Sequence, residues 1–293
     1  MGKEFDRREE DIANFVGLEH TNVRVPDQRL ATIFYVEGLG FTRDPYMVPG
    51  VKNMWMNIGR TQIHLPTGKA QVIPGCTGIV IPDIKALQSR LNAVEKELGG
   101  TKYEFKIGRK RIDVTCPWGN KYCFFPPNKK FGRITLGIRY VELNCRAGTV
   151  DGIANFYNVV MGANAAVRRA GGLAAHVHAG YHQWIIFRET NTKIPRFDGH
   201  HIQVYLANFS APYAALKKVG LISEESNQYQ YRFKHIVDLK NGKILHTLEH
   251  EIRSMTHPLF GRPMINRNPN QHNGNYAAGY SDRPFMLEGE ELR

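Results

Sequence analysis

Several short runs of this chain place histidines and carboxylates at alternate positions, where a β-strand would bring them to one face. Side chains alternate across a strand, so apolar residues mark the packed side and leave the opposite parity for chemistry. In "DGHHIQVYL" (198–206), Ile202, Val204 and Leu206 mark the packed side, which leaves His201, Gln203 and Tyr205 in one row and His200 outside it. In "EHTNVRV" (19–25), Val23 and Val25 set His20, Asn22 and Arg24 on the other face. In "TQIHLP" (61–66), Ile63 and Leu65 turn Gln62 and His64 the same way. The run "ILHTLEHEIRS" (244–254) is mixed: Ile244, Leu248 and Ile252 share a parity with His246 and His250, against Leu245, Thr247, Glu249, Glu251 and Arg253. Its majority apolar character puts Glu249 on the chemical face, whereas a count from the turn glycine Gly242, by analogy with Gly119 and Cys123, favours His246. Imidazole and carboxylate donors suit a divalent metal, and an imidazole near its ordinary pKa can carry a proton.

These strands sit in a chain of 293 residues, 42% hydrophobic and 23% charged, the composition of a soluble globular protein with a substantial core. No stretch approaches the ~20 apolar residues of a membrane span. The N-terminus "MGKEFDRREEDIANF" lacks the apolar core of a secretory signal, and Gly2 lacks the serine or threonine context of lipidation. Four cysteines (Cys76, Cys116, Cys123, Cys145) show no CxxC spacing and imply no disulfide framework, so a cytoplasmic location is expected. The net charge of +12 is spread along the chain, clustering only at "KIGRKR" (106–111) and "NKK" (128–130). Aromatic residues are not paired with basic stripes, and neither a nucleic-acid nor a membrane partner is expected. No phosphate-binding glycine loop and no GxSxG elbow is present.

The chain also repeats itself. "LEHTNVRVPDQRLATIFYVEGLGF" (18–41) and "RYVELNCRAGTVDGIANFYNVVMGA" (139–163) both read as a strand and then an amphipathic helix ending in Phe-Tyr. Aligned on Phe34 and Phe156, they place His20 opposite Glu142. "CTGIVIPDIKALQSRL" (76–91) and "HIQVYLANFSAPYAAL" (201–216) use a shorter form, and aligning Asp83 with Asn208 brings Cys76 opposite His201. Strand-like runs follow each helix. The expected fold is therefore α+β, four βαβββ units near 16–70, 71–130, 133–192 and 195–262. We divide these into 16–130 (units one and two) and 133–262 (units three and four), followed by an irregular Asn/Gly/Pro-rich tail, 263–293.

This plan resembles the vicinal oxygen chelate superfamily, which includes glyoxalases, extradiol dioxygenases and fosfomycin- or bleomycin-resistance proteins. The resemblance is carried by "EHTNVRV…FYVEGLGF", by "PWGNKYCFFPP" (117–127), similar to that family's end-of-unit strand, and by "GHHIQV" (199–204). It implies units paired into two half-open barrels, with metal ligands on the first and last strands of a unit. If unit one pairs with unit four, the implied ligands are His20, His201 and Glu249; pairing within each half would instead offer Glu142, His201 and Glu249. We favour the one-with-four pairing. Two histidines and a carboxylate suit Fe(II) first, with Mn, Ni or Zn as alternatives. The implied activity is an extradiol-type ring-cleaving dioxygenase, an oxidoreductase of aromatic compound degradation acting on a small aromatic diol or hydroquinone. His64 or His200 would serve as general base, Tyr205 would assist, and Asn22, Gln203 and Arg253 would bind an anionic substrate. His250 is expected beside the ligands or at the surface. The alternatives are a glyoxalase-like isomerase or lyase with His64 as a fourth ligand, and a metal-free binding or resistance protein. A homo-oligomer is left open.

Overall fold

The computed structural model describes residues 11–45, 52–262 and 264, so the tail expected over 263–293 lies, apart from Met264, outside the described residues. The four βαβββ units are all present. Unit one holds β1 (Phe15–Asn22), α1 (Gln28–Ala31, continuing as a π-helix over Thr32–Gly38), β2 (Thr42–Arg43), β3 (Asn53–Ile58) and β4 (Thr61–Pro66). Unit two holds β5 (Gly75–Val80), α2 (Ile84–Val94), β6 (Glu104–Ile107), β7 (Ile112–Thr115) and β8 (Lys121–Phe125). Unit three holds β9 (Gly137–Arg146), α3 (Val150–Val159), β10 (Ala165–Arg168), β11 (Ala174–His178) and β12 (Trp184–Thr190). Unit four holds β13 (His201–Leu206), α4 (Ser210–Lys218), β14 (Ile222–Asn227), β15 (Gln230–Val237) and β16 (Ile244–Ser254). The helix starts follow the short polar residues seen in the sequence: Asp27 accepts from the Leu30 amide and Asp83 from those of Lys85 and Ala86, satisfying donors a helix leaves unpaired.

Two mixed eight-stranded sheets result, ordered β14-β15-β16-β13-β1-β4-β3-β2 and β10-β11-β12-β9-β5-β8-β7-β6. In every unit the first strand pairs parallel with the last. The units then join through antiparallel pairs of first strands, β1 with β13 and β5 with β9. Unit one therefore pairs with unit four and unit two with unit three, and each sheet draws one unit from each half of the chain.

Helices fill the space between the sheets. The α1 segment packs on α2, and α3 contacts β10–β12 of its own sheet together with β15 and β16 of the other. Phe156 and Tyr157 of α3 meet Phe233 and His250, so one continuous core serves both sheets. Tyr35 of α1 shares a 2.7 Å hydroxyl–hydroxyl hydrogen bond with Tyr122 of β8, both fully enclosed. Losing one partner strands the other hydroxyl. Tyr35→Phe should cost roughly 1–3 kcal/mol while the double Tyr35→Phe/Tyr122→Phe variant recovers most of it. Additive losses in a urea-unfolding double-mutant cycle would show that the bond contributes nothing.

The cysteines depart from expectation. Cys76 and Cys123, on the adjacent strands β5 and β8, are joined in a disulfide, while Cys116 and Cys145 are free and buried. Sequence spacing could not reveal the pair because a 47-residue separation is closed only by the β5–β8 pairing. No helix of the described residues is long and apolar enough to cross a membrane.

Candidate metal centre

The sheet of units one and four carries the chemistry on the face opposite its helices. Two irregularities in β1 set the geometry. Its register against β13 slips at Val16 and again at Glu19, so Leu18 faces Val204 but His20 faces Gln203 and Asn22 faces His201. A bulged residue has no partner across the ladder and re-aims its side chain. Glu19 thereby joins the face of His20, although its parity belongs with Val23 and Val25. That misplaced charge in "GLEHTN" (17–22) is the signal by which sequence reasoning could have found it.

On the other side of β13 the register is parallel and regular: His201 stands beside Glu249, and Gln203 beside Glu251. His20, Gln203 and Glu251 thus form one row across three strands, with Asn22, His201 and Glu249 in the next. Ligand atoms of His20, His201 and Glu251 all lie within 4.8 Å of one another. Glu249, the carboxylate expected in this set, is held elsewhere by β15: Arg232 Nη1 reaches its Oε1 at 2.6 Å and Lys234 Nζ its Oε2 at 3.3 Å. It stays 3.7 Å from His201 Nδ1. Glu142, the ligand of the other pairing, lies in the second sheet, ion-paired to Arg188 at 2.8 Å.

The donor set fits a divalent ion. The Nε2 atoms of His20 and His201 are buried and have no hydrogen-bond partner, as are both amide atoms of Gln203. Burial pushes the His201 imidazole well below its usual pKa, and the neighbouring His20, Arg232, His64 and Arg253 act the same way, so it is neutral and ligand-ready. Burial alone would raise Glu251, but Arg253, His20 and Arg232 outweigh it and the carboxyl is held below its usual range, ionised. Arg253 Nη2 lies 2.6 Å from Glu251, and Arg232 is hydrogen-bonded to the same carboxylate.

Around this centre the remaining expected residues fall in different places. Arg253 also reaches Glu19 at 3.2 Å and donates from Nε to Gln230, so it fixes carboxylates and has no arm turned to a substrate. Tyr205 donates to Glu19 at 3.3 Å. Burial again opposes ionisation of Glu19, but its hydrogen bond with His20 and the charges of Arg253 and Arg262 keep its pKa low. His64 stacks on Trp55 at 3.7 Å between ring centroids. Asn22 Nδ2 donates to its Nδ1 at 2.5 Å, and its Nε2 donates to Asn53 Oδ1 at 2.6 Å. Both nitrogens are engaged, which leaves none for a fourth ligand. Burial, with His20, Arg253 and Arg232 adding to it, holds His64 well below its usual pKa and hence neutral.

His200 does not face this centre. Gly199 sits at φ +94°, a conformation L side chains rarely adopt, and a Cβ there would come within 2.9 Å of Gln71 Nε2. The chain turns there, and His200 points to a separate cavity. His250, expected beside the ligands or at the surface, is a core residue on the helix side of β16. Its Nδ1 donates to the Leu248 carbonyl at 2.8 Å, its Nε2 accepts from Tyr157 at 2.6 Å, and its ring stacks on Phe233. Glu251, Glu19, Arg232 and Trp55 are the site residues that sequence reasoning left unassigned.

A cavity of about 390 Å³ adjoins the centre at His201, and Asn22, His64, Glu249, Arg24, Arg232 and Lys234 line it as well. That volume lies within the range of small-molecule sites.

No protein-family model and no curated protein sequence matches the chain. Solved structures do match its fold. A protein of Bacillus subtilis subsp. subtilis str. 168, provisionally described as a dioxygenase, superposes with a TM-score of 0.55 at 14% identity, over 93% of this chain and 92% of that one. Glyoxalase I from Zea mays superposes with a TM-score of 0.57 at 15% identity, over 82% of this chain and 92% of its own. Together with the parallel closure of every unit and the one-with-four pairing, these likenesses show that the chain has the fold of the vicinal oxygen chelate superfamily.

Proposed function

We propose that the protein is a metal-dependent, extradiol-type dioxygenase of a small anionic aromatic diol or hydroquinone, with Fe(II) held by His20, His201 and Glu251. The carrying observation is that His20, His201 and Glu251 bring ligand atoms within 4.8 Å of one another while the Nε2 of each histidine is buried without a hydrogen-bond partner. Two histidines and a carboxylate leave coordination positions open to substrate and oxygen, the pattern of non-haem Fe(II) oxygenases. Such an ion supplies Lewis acidity, which lowers the pKa of a coordinated hydroxyl.

The protein's own charges support an anionic substrate. Glu19, Glu249 and Glu251 are matched one for one by Arg232, Arg253 and Lys234. The two positive charges of a divalent ion would therefore stand uncompensated, and a dianionic diolate would neutralise them. Gln203, with both amide atoms unpartnered beside His20, and Asn22 are placed to orient substrate oxygens. His64, neutral and lining the cavity, is the group able to accept a hydroxyl proton once Asn22 releases its Nδ1. The glyoxalase-like alternative needs His64 as a ligand, and its two engaged nitrogens weigh against that.

The test is oxygen uptake by anaerobically purified, Fe(II)-loaded protein over a catechol and hydroquinone panel. Ring cleavage with stoichiometric oxygen consumption is expected, falling on the order of 100-fold or more in His201→Ala, in line with loss of an essential catalytic group. Isomerisation of a hemithioacetal without oxygen uptake would replace this reading with the lyase or isomerase one, and protein that never retains metal would end both.

A further inference from the structure

We infer that a second cavity, separate from the metal centre, binds a small phenolic carboxylate. It measures about 480 Å³ and lies where the two sheets meet, between the start of β16, the end of β9 and the segment 194–200. Its walls are apolar, formed by Ile194, Phe197 and Leu245 among others, and Arg146 and Arg196 line it as well. Both arginines are exposed.

Two side chains mark the cavity as a polar site and not a packing gap. His200 is 2% exposed and His246 9% exposed, both line the cavity, and the Nε2 of each is buried without a hydrogen-bond partner. Buried polar atoms are nearly always satisfied, so two such atoms in one cavity point to a ligand. His200 Nδ1 donates to the Asp198 carboxylate at 2.7 Å, which holds the ring in place and leaves its Nε2 as the unpartnered atom. Burial, with His200 and Arg146 adding to it, pushes His246 down to about 4, so its ring is neutral at neutral pH.

The cavity is therefore lined by two buried imidazoles with unpartnered Nε2 atoms, by two exposed guanidinium groups and by apolar side chains. A ring bearing a hydroxyl at one end and a carboxylate at the other matches all three. Residues 198–201 form the wall between the cavities: Asp198, Gly199 and His201 line the metal side, and His200 lines this one. The consecutive histidines thus serve two different sites.

The probe is 4-hydroxybenzoate, with the 3-isomer, benzoate and phenol as comparisons, titrated calorimetrically into full-length metal-free protein. We expect saturable 1:1 binding of a hydroxybenzoate isomer, about tenfold weaker for benzoate and for phenol, each missing one contact. Arg146→Met, an exposed change, and His246→Phe should each weaken the hydroxybenzoate about tenfold or more, and His20→Ala should leave binding unchanged. Absence of saturable binding up to 10 mM (on the order of the weakest useful site), or binding lost in His20→Ala and kept in Arg146→Met, would overturn the inference. Because the titration uses metal-free protein and no turnover, it stands or falls apart from the dioxygenase reading.

Discussion

Glu251→Gln is expected to weaken metal binding by well over ~100-fold, whereas Glu249→Gln should cost roughly tenfold, the low end of the ~10–100-fold that partners outside the ligand set cost when lost. Both carboxylates share one face of β16, two residues apart, and each contacts an arginine of β15. What separates them is their place in the sheet. Glu251, in the row of His20 and Gln203, has a ligand atom within 4.8 Å of those of both histidines, whereas Glu249, in the row of His201, lies one row from His20 and is tied to Arg232 and Lys234. His20→Ala should match the Glu251 variant, and Glu142→Ala, in the other sheet, should match the parent. Anaerobic titration of apoprotein with Fe(II), after circular dichroism has shown each variant folded, measures this. Metal lost from Glu249→Gln but kept by Glu251→Gln would move the centre one row. Breaking the Glu251 ion pairs leaves Arg253 less compensated, which can cost roughly 3–5 kcal/mol, so the folding control is essential.

The same pair shows how far the sequence could be read. Parity was legible: His20, His201, Gln203 and the Glu249–Arg253 row all share the face assigned to them, because one apolar side must be buried. The four units and the choice of unit four as partner of unit one were legible through the repeat. Register was not. The slip at Glu19 decides which carboxylate His20 meets, and a bulge is a property of two paired strands. The Cys76–Cys123 pair and the divergence of His200 from His201 at Gly199 were hidden for the same reason, since each depends on contact with a distant segment.

Acid should unfold the metal-free protein steeply, with about 4 kcal/mol of stability lost between neutral pH and pH 5 through two core histidines. Burial, with His200 and Arg146 adding to it, holds His246 at about 4. Burial holds His250 at about 3, opposed by its hydrogen bond to the Leu248 carbonyl. Both folded values lie below the ~6.5 of an unfolded chain, so the unfolded state takes up protons first as pH falls. Stability from these groups is complete above about 6.5, and each erodes it by roughly 1.4 kcal/mol per pH unit below that, until the folded rings themselves protonate. Against a typical total of about 5–15 kcal/mol the loss is large. His250→Phe keeps the stack on Phe233 but strands the Tyr157 hydroxyl, so it should start roughly 1–3 kcal/mol less stable and then lose about 2 kcal/mol less on acidification. Urea midpoints at pH 7.5 and 5 measure both, and an unchanged pH slope in His250→Phe would remove His250 from this account.

The pairing of units gives the chain a nested order. Units two and three are neighbours in sequence and close on each other, while units one and four, the outermost, close around them. During synthesis the chain emerges amino end first, and segments close in sequence meet sooner than distant ones. Strand β1 therefore waits, with His20 already made, until β13 and finally β16 leave the ribosome. The inner sheet can assemble on a growing chain; the outer one cannot. The cluster of His20, His201 and Glu251 consequently exists only on a chain read through to β16.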